Sequence, residues 1–300
     1  SAIFITRCAF TNNTISHPSA VIHVTASQII KIERTEFAFN FGTPLATAIS
    51  GISCTTFYCF KCTFRHNGIT GIRIKFSDRV LIINSKFKNN SADCASGIHV
   101  QKNKVVQLDR TVFEFNFAFT KGAGMYAEGG KLLQVNNSYF SHNSGDEGAG
   151  LHFAQVAILE LYHCTCIMNK ASKGGAMSNY DSKITIMINC IWMSNSVSHS
   201  GGAIYSTTKK YSNLLIISSE FKNNLAKLGA AIYTIKHEVQ RIEKTKFSFN
   251  KALKFGGGMY AKNCINISIS FSYFSHNFGK EGGGIYVWQI RKVLDIYNAT

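Results

Sequence analysis

Apolar residues recur in short strand-like runs bounded by Gly, Asn and Ser. Val80-Leu-Ile-Ile83, Val105-Val-Gln-Leu108, Ile184-Thr-Ile-Met-Ile188 and Leu214-Leu-Ile-Ile217 each lead into a residue that is usually aromatic. Runs of this length and composition predict β-strands. Three residues after the aromatic stands an asparagine, and the pair repeats along the whole chain. It occurs at Phe10/Asn13, Phe37/Asn40, Phe64/Asn67, Phe87/Asn90, Phe113/Asn116 and Phe140/Asn143. It continues at Cys166/Asn169, Trp192/Asn195, Phe221/Asn224, Phe247/Asn250 and Phe274/Asn277. Steps between repeats run from 23 to 29 residues, mostly 26 or 27, so eleven repeats tile residues 1–300 as one unit without a linker.

Aligned on the aromatic, the repeats expose two uniform columns. Five residues earlier every position is apolar, from Ile5 through Leu108 to Ile269. Two residues earlier every position is Cys, Ser or Thr, from Cys8 through Thr111 to Ser272. Columns of this kind arise when equivalent residues of successive coils stack on one inner face. A glycine signature follows each asparagine, as in Gly201-Gly-Ala-Ile-Tyr205 and Gly256-Gly-Gly-Met-Tyr260, and fits a tight bend where a Cβ would collide. Three short strands in about 26 residues predict an all-β, right-handed parallel β-helix of about 11 coils. With strands ~4.8 Å apart, ten steps span roughly 48 Å. The asparagines are expected to form a structural ladder at a turn, and the aromatics a stacked ladder filling the interior.

A coarser repeat overlies the coils. Ser138-Tyr-Phe-Ser-His-Asn143 recurs as Ser272-Tyr-Phe-Ser-His-Asn277, 134 residues on, and Phe87-Lys-Asn-Asn90 recurs at Phe221 with the same offset. Duplication of a five-coil block implies growth in length more readily than a single catalytic centre. Both termini fall within a coil, which predicts a segment of a longer chain.

These residues resemble the chlamydial polymorphic membrane proteins, surface autotransporter passengers built from FxxN and GG(A/L/V/I)(I/L/V/Y) repeats. Similar repeats occur in large surface proteins of ciliates and trichomonads. FxxN is met nine times here, with Cys166 and Trp192 replacing Phe, and Gly201-Gly-Ala-Ile204 keeps the strict glycine motif. The resemblance implies an extracellular or cell-surface adhesin, stalk, spacer or fibre subunit, and no motif position is catalytic. The partners it implies are neighbouring coils of a longer protein, end-to-end copies, and glycans or other extracellular ligands.

No run of eighteen apolar residues occurs, so the segment does not span a membrane as a helix. Lys+Arg 32 against Asp+Glu 16 leaves +16, compatible with a polyanion-binding surface module. The lysines are dispersed (Lys86, Lys88, Lys121, Lys173, Lys209, Lys210, Lys246, Lys254) and the aromatics are assigned to the core, so specific nucleic-acid binding is not expected. A carbohydrate-active enzyme, with its site partly outside this segment, is the main alternative. Gly71-Ile-Arg-Ile-Lys75 resembles the Arg-Ile-Lys element of polygalacturonases, but their Asn-Thr-Asp, Asp-Asp and Gly-His-Gly companions are missing. Arg73 and Lys75 therefore read as solvent charges on an alternating strand. His66, His142 and His276 share one turn column, coils apart, and read as solvent-facing. No metal or cofactor is expected. Cys164 and Cys190 occupy one inward column in adjacent coils, open equally to a disulfide or to two buried thiols. N-glycosylation acceptors stand at Asn12, Asn89, Asn136, Asn266 and Asn298, with Asn136 and Asn298 placed at the bend before the aromatic.

Overall fold

The computed structural model describes residues 1–209 and 212–299. Lys210, one of the dispersed lysines, and Thr300, which completes the Asn298 acceptor, lie outside the described residues.

The chain turns because single residues at its corners adopt the left-handed backbone conformation. Three residues before every aromatic, from Arg7 through Arg110 to Phe271, and two residues after it, from Asn12 through Phe115 to His276, φ lies between +47° and +57°. A third corner repeats the device at Ser53, Phe76, Lys102, Gln155 and Asp181. For residues other than glycine this conformation costs about 1–2 kcal/mol each. Backbone pairing offsets the cost: Arg34 N donates to Phe60 O at 2.9 Å and Phe115 N to Ser141 O at 3.1 Å, one coil on.

Between corners the strands stack into three parallel walls. The first has 12 strands, from Ala2–Thr6 to Val293–Tyr297. The second has 11, from Ala9–Thr11 to Tyr273–Ser275, and carries the aromatics. The third has 11, from Ala20–Thr25 to Ile285–Trp288. This is the right-handed parallel β-helix that the repeats predict. Some coils add a fourth short strand after the asparagine, as at Lys170–Lys173, Ser196–Ser200, Leu225–Leu228 and Lys251–Phe255. Within the three walls register is kept residue for residue, with Phe64 opposite Phe87 and Ile82 opposite Leu108, whereas the fourth strands carry register shifts.

Two ladders fill the interior. Phe37, Phe64, Phe87, Phe113 and Phe140 are fully buried, and successive rings lie 4.6–4.9 Å apart within 8° of parallel. Phe10 joins at the N-terminal end at 5.1 Å. The stack breaks at Cys166 and resumes with Trp192, 6.0 Å from Phe221, followed by Phe247 and Phe274. The asparagines form an unbroken chain from Asn13 to Asn277. Each Nδ2 donates to the Oδ1 of the next, as in Asn67 to Asn90, Asn116 to Asn143, Asn169 to Asn195 and Asn224 to Asn250, at 2.9–3.1 Å. The second Nδ2 hydrogen goes to the carbonyl of the aromatic one coil back, such as Asn143 to Phe113 O at 3.0 Å. The Oδ1 also accepts the preceding asparagine's backbone N–H, for example Asn40 N to Asn67 Oδ1 at 3.1 Å. Every donor and acceptor of a side-chain amide within the ladder is thereby used.

The small column has a similar cause. Thr35, Ser85, Ser138, Ser219 and Thr245 each donate a hydroxyl to the carbonyl two residues earlier, at 2.8–3.1 Å. The first glycine of each signature is the corner before the third wall. At Gly174, φ is +58° and a Cβ would lie 2.2 Å from Met177 O, which excludes any side chain.

Candidate functional site

With the asparagine ladder saturated, the polar side chains that solvent can reach lie on the outer surface. The third wall presents one outward column from coil to coil: His23, Ser50, Arg73, His99, Tyr126, His152, Ser178, Tyr205, Tyr233, Tyr260 and Tyr286. The glycine corner places this residue, because the first side chain after the inward one must face out. Sequence reasoning missed the column, although the Tyr that ends Gly201-Gly-Ala-Ile-Tyr205 and its relatives marks it.

The middle of the column is a polar centre. His152 Nδ1 lies 2.7 Å from Ser178 Oγ, and Glu147 stands between Lys173 at 3.5 Å and Lys121 at 4.0 Å. Burial lowers the His152 pKa to about 3, with Lys121 adding to the effect. Burial, with Glu147 nearby, raises the phenol of Tyr180. A serine beside an imidazole is the beginning of a nucleophilic pair. Here Ser178 is fully buried, so no substrate carbonyl reaches its hydroxyl, and the contact serves packing. Beside it, Glu147, His152, Lys173, Tyr180, Asp181 and Tyr205 line a cavity of about 390 Å³.

Arg73 does not lie free in solvent as the alternating strand implied. Its Nη1 donates to Leu45 O at 2.7 Å, burial lowers its pKa, and its Nε is enclosed without a partner. Ser50, one coil earlier, is short and leaves room for that fold-back. His99 lies opposite Arg73, and its pKa falls to about 3 through burial, then Arg73 and Lys75.

The assignment of the aromatics to the core also needs correction. Phe39, Phe115 and Phe249 occupy the left-handed corner two residues after the ladder position and are 38%, 48% and 50% exposed. Each stacks on the next coil's histidine, Phe39 on His66, Phe115 on His142 and Phe249 on His276, at 4.7–5.2 Å. Phe117, Phe119 and Phe278 are exposed as well. Corner residues escape the two-residue alternation, so the strand pattern cannot show where they point.

All nine cysteines are free thiols. Cys164 and Cys190 are both buried, with Cys164 Sγ 3.1 Å from Val135 O and Cys190 Sγ 3.4 Å from Ile188 O. Burial pushes the Cys164 thiol up, while its hydrogen bond to Cys190 pulls the latter down. Among the acceptor asparagines, Asn12 and Asn298 are exposed and Asn89 and Asn266 half-buried. Asn136 is not at the bend: it ends the strand Leu132–Asn136, its Oδ1 is enclosed without a partner, and Asn137 takes the corner at φ +49°. Among the described residues no group of three or more His, Cys, Asp or Glu could hold a metal ion, and no helix is long and apolar enough to cross a membrane.

Comparison with known proteins agrees with this architecture. Over 85 residues the chain is 33% identical to the probable outer membrane protein PmpB of Chlamydia trachomatis, covering 28% of this chain and 5% of that protein. Over 232 residues it is 24% identical to the metabotropic glutamate receptor-like protein R of Dictyostelium discoideum, covering 75% of this chain and 14% of that protein. The chain thus spans a small fraction of the length of either curated relative. No solved structure matches it. Residues 70–238, more than half of the chain, match the model of the right-handed β-helix region. With walls, ladders and corners repeating coil by coil across that match, the chain belongs to the right-handed β-helix family.

Proposed function

We propose that this β-helix is a surface-displayed structural element, a stalk or adhesive spacer whose work is mechanical and not catalytic. The observation that carries the reading is the unbroken Asn13-to-Asn277 ladder inside three walls in register. Every coil is locked to the next by backbone pairing and by the asparagine amides, so load along the axis is shared by all coils. The similarity to a protein named as a chlamydial outer membrane protein supports the surface location. The dispersed excess of +16 supports it too, since solvated lysines discourage lateral pairing of exposed edges.

The test is antibody labelling of intact, unpermeabilised source cells, combined with electron microscopy of the native protein. Surface label on rod-shaped particles is the expected result. Label that appears only after permeabilisation would overturn the location. Cleavage of an acidic polysaccharide by the purified protein, abolished in Arg73→Ala, would overturn the non-catalytic role.

A further inference from the structure

Near the N-terminal end of the third wall, one hollow on the outer surface is lined by bases and by no acid. His23, Ser50 and Arg73 follow one another in the outward column, and Lys75 stands two residues beyond Arg73 on the same face. Ser50 is short and only 8% exposed, while the side chains on either side of it are long. The backbones of His23 and Arg73 lie two strand spacings apart, ~9.6 Å. The missing bulk at Ser50 leaves a cavity of about 170 Å³ between them, backed by the buried Thr47 and rimmed by the exposed Ser19 and Leu45.

The charge here is uncompensated. No Asp or Glu lines the cavity, and among the described residues neither Arg73 nor Lys75 makes an ion pair. Elsewhere on the surface Arg65 has Glu36 beside it, and Lys173 has Glu147. Arg73 is tied to the wall by its Nη1 bond to Leu45 O, while its Nε and the Thr47 hydroxyl are enclosed without a partner. A half-buried guanidinium with no counter-ion is costly, and an anion beside it relieves the cost. The next coil registers the same field. His99, opposite Arg73, is held neutral by burial and then by Arg73 and Lys75.

We infer that this cavity holds a tetrahedral oxyanion, phosphate or sulfate. Arg73 and Lys75 supply the charge from one coil, and Arg73 adds the forked donor geometry that suits such ions. His23 and Ser19, whose side chains make no hydrogen bond within the protein, supply donors from two coils away. Donors on two opposite sides match an ion whose oxygens point in four directions better than a flat carboxylate. Size sets the other limit. The cavity falls below the ~300–1,000 Å³ of pockets that enclose drug-sized ligands, so it takes a small ion or the end group of a larger molecule.

The experiment is calorimetry and phosphorus NMR on the whole chain at fixed ionic strength, with inorganic phosphate, sulfate, phenyl phosphate and acetate as probes. Phosphate and sulfate should bind saturably with Kd of ~1 mM or below, and acetate at least tenfold more weakly. Phenyl phosphate binding as tightly as phosphate identifies an esterified group as the ligand, and weaker binding identifies the free ion; either result supports the site. Arg73→Ala and Lys75→Gln should each weaken phosphate at least tenfold. Ser50→Tyr fills the cavity with the residue that the same column carries at Tyr205 and Tyr233, and should abolish binding while the circular dichroism is unchanged. Lys86→Gln removes the same charge from the second wall and should leave binding as it was. No saturable binding, equal affinity for acetate, binding retained in folded Ser50→Tyr, or an equal loss in Lys86→Gln would each overturn the proposal.

Discussion

A ladder side chain of this protein is held from both sides, which makes single substitutions informative. Phe113 is fully buried between Phe87 and Phe140 at 4.9 and 4.7 Å. Walls paired in register cannot close over the gap, so Phe113→Ala should cost about 3–5 kcal/mol in urea unfolding. An unchanged midpoint would contradict the inward stack. Asn116→Ala removes the acceptor of Asn90 N and Nδ2 and the donor to Phe87 O. Several buried groups are orphaned together, so a loss of about 3 kcal/mol or more is expected. At the half-buried end residue, Asn13→Ala forfeits only its Nδ2 bond to Asn40 Oδ1, which water can replace, and should cost about 1 kcal/mol. The histidines set the response to pH. Burial holds His152 near pKa 3 and His237 near 4, each neutral when folded. Unfolded, each titrates near 6.5, so below that pH the unfolded chain gains protons that the folded one refuses. The histidine contribution is therefore constant above about pH 7 and falls as pH drops towards 4, by about 2 kcal/mol per histidine at pH 5. His237→Gln should recover about 2 kcal/mol of that loss when urea midpoints at pH 7.5 and 5.0 are compared.

At the scale of the coil, the one break in the aromatic stack is a matched exchange of volume. Cys166 is small and Trp192, directly opposite it in the next coil, is large, and both are fully buried. Cys166→Phe alone should overpack the pair by about 1–3 kcal/mol, and Trp192→Phe alone should leave a void. Together they restore the uniform ladder of Phe113 and Phe140. A double-mutant cycle in urea should give a favourable coupling of about 1–3 kcal/mol. Simple additivity would show that the two positions relax independently. The same contrast explains what the sequence makes legible. Inner columns are uniform because each residue packs on its own counterpart, so Phe113, Asn116 and Thr111 announce their places. Outer positions face water and vary. Phe115 sits two residues from Phe113 yet points outward because its backbone is left-handed, a change that no apolar alternation records. The Arg73 fold-back and the His152–Ser178 contact depend on short neighbours at Ser50 and on close approach of the glycine corner at Gly148, which only three dimensions reveal.

For the molecule as a whole, identical registers make coils interchangeable units, and this can be tested by removing one. Glu220 lies opposite Lys246, Phe221 opposite Phe247 and Lys222 opposite Ser248. Deleting residues 220–245 would join Ser219 to Lys246 and set Lys246-Phe247-Ser248 directly on Ile191-Trp192-Met193, which Glu220–Lys222 now cover. The asparagine chain would close as well, with Asn250 taking the place of Asn224 above Asn195. Since each coil contacts only its neighbours, stability should fall by one coil's share and not collapse. Small-angle scattering should report a rod shorter by ~4.8 Å with an unchanged cross-section. A spacer tolerates that change, because its output is length. An aggregated or unfolded deletion product would show that this coil carries a specific contact, and would count against a function carried by repetition.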